Sequence, residues 1–235
     1  MHLVERADAA MLHLLNSVAG KSPFFDHTVN LISRLHLFKG VFVFSLLWGA
    51  WFARSRDDGR QARRDVVLTL LAAAVAAPLS RVIQMVLPLR VRPIFNSTLN
   101  FSAPVVFDPG DLPRWSSFPS DHAALFFAVA MGMWFSFRKL AWLLLAWSIL
   151  LISLPRLYLG LHYPSDVLSG AALGIGTVLL IRRFTPLPAV DSVLRAEQRW
   201  PAIFYGSAFM LSYLIATLFD DLREIGAKLA KYYSG

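Results

Sequence analysis

The chain contains no cysteine. Disulfides, thiolate metal sites and cysteine nucleophiles are therefore excluded, and redox chemistry says nothing of its compartment. Charge is scarce as well. Asp, Glu, Lys and Arg make up 16% of the 235 residues, against 56% hydrophobic and 13% aromatic. A soluble domain needs more polar residues than this to coat its surface, and the mean hydropathy of +0.53 excludes an ordinary one. Lipid is the expected solvent for much of the fold. No internal repeat or low-complexity tract divides the sequence, so residues 1–235 are expected to form one domain. The first eight residues mix both charges and lack a cleavage site after an apolar core, unlike a removable signal peptide.

The net charge is +8, but it does not point to nucleic acid. The basic residues fall in short clusters between apolar runs, and no continuous basic face with interleaved aromatics can be drawn. Six apolar segments stand out, at about residues 35–53, 66–88, 123–137, 140–155, 167–181 and 201–219. A spanning helix needs ~20 residues. The three segments at 123–137, 140–155 and 167–181 are shorter, so their charged ends are expected at the interface or inside the bundle. The fold class that follows is all-α: an integral membrane bundle of six transmembrane helices. Ahead of it, Ala9, Met11, Leu12, Leu14, Leu15 and Val18 recur at near-helical spacing, which predicts an N-terminal interfacial amphipathic helix. Ser22-Pro23 to Asp26 is expected to break the chain before the first crossing.

Basic clusters predict orientation. Arg54, Arg56, Arg60, Arg63 and Arg64 follow the first segment, Arg138 and Lys139 separate the third from the fourth, and Arg182, Arg183, Arg195 and Arg199 follow the fifth. All fall on one face, which should be cytoplasmic. The opposite face receives the loops at 90–119 and 156–165, with only Arg90, Arg92, Arg114 and Arg156. An even number of crossings places both termini on that outer face.

These sparse outer charges sit beside histidines. Arg92-Pro93, Pro119-Ser120-Asp121-His122, and Arg156 followed by His162 and Asp166 all lie at segment boundaries on the same predicted face. Ionisable groups near membrane depth are costly and mark function by default. The residue types suit phosphoryl transfer. A neutral imidazole at His162 offers a nucleophilic lone pair, and Asp166, four residues on, is placed to hold the other ring nitrogen's proton. His122 can protonate a leaving oxygen. The arginine fork matches phosphoryl oxygens and does not titrate, so Arg92 and Arg156 are candidate ligands. Ser120, with the N–H groups of the helix start after it, is a candidate anion cradle. His2, His13, His27 and His36 have no matching spacing and receive no role. Two arginines beside the site would repel a metal ion and no ligand-rich cluster completes a shell, so neither metal nor other cofactor is expected.

Phe118-Pro119-Ser120-Asp121-His122-Ala123 and Arg156-Leu-Tyr-Leu-Gly160-Leu-His162-Tyr-Pro-Ser-Asp166 resemble the second and third signature motifs of the type 2 phosphatidic acid phosphatase superfamily. Arg92-Pro93 resembles the end of its first motif. The matched core runs from about 66 to 181. Asp121 and the His162-Tyr163-Pro164-Ser165-Asp166 stretch look most like the bacitracin-resistance type of undecaprenyl-diphosphate phosphatase.

The resemblance implies a helical bundle with an extracytoplasmic site in a bacterial cytoplasmic membrane and metal-free hydrolysis of a lipid phosphate or diphosphate through a phosphohistidine. It assigns His162 as nucleophile, Asp166 as its orienting partner, His122 as general acid, and Arg92, Ser120 and Arg156 as phosphate ligands. Asp121 is a further candidate at the phosphate site, or a first-turn dipole partner. The expected partners are a membrane lipid substrate and the bilayer. Two departures stand out. The first motif's lysine is Met85 here, leaving Arg81, one turn earlier on the same face, or Arg90 as replacements. The serine before the third motif's arginine is Pro155. Undecaprenyl diphosphate is the first-choice substrate. The alternatives are a phosphatidate or phosphatidylglycerophosphate, transfer to another lipid, and a weakened homologue that only binds polyprenyl phosphates.

Overall fold

The computed structural model describes residues 3–53, 59–104 and 115–234, so His2, Arg54, Arg56 and Arg114 lie outside it. Among the described residues the chain is helical throughout, without a strand. The helices are α1 (Leu3–Asn16), α2 (Pro23–Arg34), α3 (Phe42–Phe52), α4 (Arg60–Val86), α5 (Asp121–Met133), α6 (Arg138–Trp147), α7 (Leu154–Tyr158), α8 (Pro164–Phe184), α9 (Leu187–Arg199), α10 (Pro201–Ala216) and α11 (Asp220–Ser234). Two π-helical turns interrupt the series, Leu37–Val41 ahead of α3 and Ser148–Ser153 between α6 and α7.

Three stretches are long and apolar enough to cross a membrane: α4, the continuous run Arg138–Tyr158, and α8. Two bent pairs reach the same threshold together, α2 with the Leu37–Phe52 helix at 65° and α10 with the start of α11 at 78°. The sixth expected span, α5, is only 13 residues long. It is short because it is the centre of the bundle. Ala123, Ala124, Leu125, Phe126, Ala128, Val129 and Met133 are all buried by neighbouring helices.

Several boundaries differ from those expected. Ser22-Pro23 does not break the chain but starts a helix: the Ser22 hydroxyl accepts the Phe25 N–H and Pro23 occupies the first turn, where its missing donor costs nothing. Pro155 does not end the fourth span either. It lies in the first turn of α7, so Arg156 is inside a helix and not in a loop. Arg195 and Arg199 belong to an amphipathic helix, α9, which buries Val190 and Leu194.

The core is made of α4, α5 and α8, whose facing surfaces are lined by small residues. A Cβ at Gly170 would press on the Ser120 carbonyl, one at Gly174 on the Ala124 carbonyl, and one at Gly132 on Thr69. With no hydrophobic drive between helices in lipid, such close backbone approach supplies the packing. At Gly176, by contrast, a Cβ meets nothing within 4 Å. The outer face of α4 carries exposed Leu71, Val75, Leu79, Val82 and Val86, a stripe at helical spacing that faces lipid.

The two ends of this core differ. At one end, Arg64 grips Asp191 through two hydrogen bonds of 2.7 and 2.6 Å, and Arg182 meets Asp65. At the other, the Ser80 hydroxyl and Gln84 amide of α4 donate to the Pro119 carbonyl, at 3.1 and 2.7 Å, just before α5 begins. All three motif regions come together at this second end.

Candidate active site

The loop holding Arg92 is tied to the loop holding His162 by backbone. The Ile94 N–H, in the Pro93–Phe95 turn, donates to the Gly160 carbonyl at 3.0 Å. Gly160 has a left-handed backbone (φ +67°), and a Cβ there would lie 2.6 Å from the Phe101 ring. Glycine is needed on both counts. The segment before α5 is pinned similarly: the Ser117 N–H donates to the Arg90 carbonyl at 2.9 Å and the Ser120 N–H to the Asp166 carbonyl at 3.0 Å.

His162 is 6% exposed. Its Nδ1 lies 2.8 Å from the Ser117 carbonyl oxygen, which can only accept, so Nδ1 carries a proton and the lone pair of the neutral ring falls on Nε2. The expected partner, Asp166, stands 3.7 Å from Nδ1, beyond hydrogen-bonding distance. Asp166 is instead a helix cap: its Oδ2 accepts the Tyr163 N–H at 2.7 Å, while Oδ1 accepts from Arg90. Arg90 also donates to Asp8 of α1 at 2.7 Å and lies over the Tyr163 ring, 4.2 Å from its centroid. Asp8 and the Ser117 carbonyl were not legible as site elements. A main-chain acceptor leaves no trace in composition, and Asp8 sits 154 positions before His162.

His122 Nδ1 is 2.9 Å from Asp121 Oδ1, and Asp121 Oδ2 is 2.6 Å from Arg81 Nη2. Arg81 further donates to Gln84 at 3.0 Å and stacks over Trp115, its guanidinium carbon 4.6 Å from the ring centroid. Arg81 thus pairs with Asp121, and Asp121 holds the His122 ring. The N–H groups expected to cradle an anion at the start of α5 are occupied too. That of His122 bonds to Asp121 Oδ1 at 2.8 Å, and that of Ala123 to the Ser120 hydroxyl at 3.4 Å. Ser120 is a cap whose own O–H is left to donate elsewhere.

Arg156 is 4% exposed and spends one N–H on the Ile152 carbonyl, at 3.0 Å. Arg92 Nε and Ser117 Oγ are buried without a partner. Burial pushes the Arg92 guanidinium below its ordinary value, opposed by Asp121 and Asp166 and reinforced by Arg81. Asp121 interacts electrostatically with Arg92, Arg156, His122 and His162, and Arg156 with Arg92 and His122. Two imidazoles, two guanidiniums without a carboxylate partner among the described residues, and spare hydroxyls gathered at one end of the bundle suit a phosphoryl group. Beside it, a cleft of about 350 Å³ opens between α4 and the α10–α11 elbow, lined by Ala77, Val82, Met85, Leu218 and Phe219 and closed by Arg81 and Asp121.

An apolar helical bundle with histidines and arginines gathered at one end defines an integral membrane protein built around a polar site. The chain belongs to the PAP2 superfamily, whose family model matches residues 66–187, just over half its length. It is 40% identical over 82 residues to the undecaprenyl-diphosphatase BcrC of Bacillus subtilis, covering 34% of this chain and 42% of that protein. The match thus spans less than half of that relative. The lipid A 1-diphosphate synthase of Escherichia coli is 26% identical over 178 residues, 74% of this chain and 72% of that one. Among solved structures, the PAP2 type phosphatidylglycerolphosphate phosphatase of Bacillus subtilis superposes with a TM-score of 0.53 at 24% identity. That match covers 78% of this chain and 87% of that one, and the likeness is one of fold.

Proposed function

We propose that the chain is a lipid diphosphatase whose first-choice substrate is undecaprenyl diphosphate, hydrolysed on the outer face of a bacterial cytoplasmic membrane. Six crossings in a single domain, counting α5 and both bent pairs, put the Arg60, Arg64 and Arg182 end in the cytoplasm and the histidines outside. His162 Nε2 attacks the terminal phosphorus. The bond from phosphorus to the bridging oxygen breaks, and His122 passes its Nε2 proton to that oxygen. Arg92, Arg156 and Ser120 hold the phosphoryl oxygens. Water then attacks the phosphohistidine, the N–P bond breaks, and His122 takes the water's proton. Asp166 acts on His162 through Tyr163 and Arg90. Asp121 and Arg81 orient His122. The apolar cleft takes the hydrocarbon nearest the phosphate.

The observation that carries this reading is the His162 Nδ1 hydrogen bond to the Ser117 carbonyl, which leaves Nε2 as the ring nitrogen available for attack. The test is purified protein with undecaprenyl diphosphate, with and without chelator. Phosphate release should persist with chelator and vanish in His162→Ala. In His122→Ala, phosphate should accumulate on His162. Undiminished release by His162→Ala would end the phosphohistidine reading. A second reading, transfer to a lipid acceptor, draws support from the likeness over 74% of this chain to a relative named as a synthase. Label appearing on an added acceptor lipid would favour it.

A further inference from the structure

A buried lysine in the first expected span lies near this end of the bundle. Lys39 is 8% exposed, and among the described residues it makes no hydrogen bond or ion pair. It is close enough to Arg156, Asp121 and His122 for the charges to interact, which sets it at the same end of the bundle. Irregular backbone puts it there. Lys39 lies in the π-turn Leu37–Val41, and the second π-turn, Ser148–Ser153, leads directly into the helix of Arg156. The Trp147 indole donates to the Phe38 carbonyl at 2.7 Å and clamps the two turns together. A π-turn adds a residue to a helix and re-aims the side chains beside it, a device concentrated at functional sites. Here both turns deliver a cation to one place.

The two arginines expected to replace the first-motif lysine are taken. Arg81 is paired with Asp121, and Arg90 with Asp8 and Asp166. Met85 itself is 82% exposed and lines the apolar cleft. With those carboxylates matched, Arg92, Arg156 and Lys39 remain as three cations at one end of the bundle. Like charges held together away from water are costly unless an anion joins them. A phosphate monoester brings about two negative charges, and a diphosphate brings more.

We propose that Lys39 is a phosphate-binding residue: from the first span it supplies the cation missing at Met85, contacts the second phosphate of a diphosphate, and sets a preference for diphosphate over monophosphate lipids. This rests on the anion site read above.

The test uses the full chain in detergent with farnesyl diphosphate and farnesyl monophosphate, which differ by one phosphate. Lys39→Met and Lys39→Gln should each raise KM for the diphosphate about ten- to hundredfold, the scale of one lost hydrogen bond to a charged group. The preference for diphosphate should fall about tenfold or more, and Lys39→Arg should retain most of it. Calorimetric titration of His162→Ala with inorganic pyrophosphate, which needs no turnover, should show a matching loss of affinity when Lys39→Met is added. An unchanged preference, an equal loss for both substrates, or pyrophosphate affinity indifferent to Lys39 would each overturn the assignment. If the wild-type protein hydrolyses neither substrate, the phosphatase reading fails, and the pyrophosphate titration still decides the role of Lys39.

Discussion

Asp8 and Ser165 lie 157 positions apart and are joined twice: the Ser165 N–H donates to Asp8 Oδ1 at 2.9 Å and its hydroxyl to Oδ2 at 2.5 Å. With Arg90 reaching both Asp8 and Asp166, the first helix becomes part of the scaffold beneath His162. Asp8→Ala would strip Ser165 of its acceptor and Arg90 of one of two carboxylates. Each hydrogen bond to a charged group is worth ~1.5–3 kcal/mol. With three such bonds lost, the expected fall in melting temperature is about 10 °C or more, at ~2–4 °C per kcal/mol for a chain of this size, with about a tenfold fall in kcat/KM as the loop before α8 loosens. Asp8→Asn, which keeps an acceptor, should lose less. Thermal unfolding in detergent and phosphate release measure both. Wild-type melting of Asp8→Ala would show that α1 is not coupled to the site.

The Ser117 carbonyl and Asp166 divide the support of His162 in a way that separates two substitutions. The carbonyl fixes the tautomer, and a side-chain change at Asp166 leaves it in place. Asp166→Asn should therefore act through the Tyr163 cap and Arg90, lowering kcat about ten- to hundredfold, the lower end of what one positioned group supplies. His162→Ala should remove turnover altogether. Single-turnover trapping of labelled phosphate is the check: Asp166→Asn still forms the phosphoenzyme, only slowly. Equal inactivity of the two variants would return Asp166 to direct contact with the ring.

What the sequence revealed follows from how local each feature is. The motifs around His122 and His162 were legible because donor, acceptor and cap lie within a few residues, as with Ser120 and Ala123 or Tyr163 and Asp166. Partners set by packing were not. Asp8 reads as one charge on an amphipathic helix until Arg90 is folded against it. Charges at Arg195 and Arg199 look like a loop because α9 buries just two apolar residues, Val190 and Leu194, besides Glu197, and is polar on most sides. Lys39 did carry a signal: a lone cation within an apolar run is by default functional. The elbow at Leu218 and Phe219, with left-handed backbone at two bulky residues (φ 54° and 58°), has no counterpart in residue preference.

Gly170 and Gly176 offer a matched pair on α8. A Cβ at Gly170 meets the Ser120 carbonyl and, at 3.0 Å, the Ala123 Cβ, so Gly170→Ala must push apart the two helices that carry His122 and Asp166. Overpacking of this kind costs ~1–3 kcal/mol. Gly176→Ala meets open space and removes a flexible residue from a helix interior, which should be neutral or stabilising by up to ~1 kcal/mol. Melting curves in one detergent compare them directly, and Gly170→Ala should also lose activity. Equal melting temperatures would mean that the α5–α8 contact is looser than its geometry.

Arg81 is the residue whose role the first-motif departure leaves most open, and kinetics can assign it. If it bound phosphate, its loss would weaken substrate binding and raise KM. In the observed arrangement it grips Asp121, and Asp121 grips His122, so its effect should pass through proton transfer. Arg81→Met should lower kcat about ten- to hundredfold, a part of the ~10²- to 10⁴-fold that a general acid supplies, with KM little changed. The decisive measurement is a double-mutant cycle. Residues acting in one chain are not additive, so Arg81→Met should cost little more once His122→Ala is present. Met85→Lys should not rescue Arg81→Met, because residue 85 opens onto the apolar cleft. Additive losses with a raised KM would instead place the Arg81 guanidinium on the substrate.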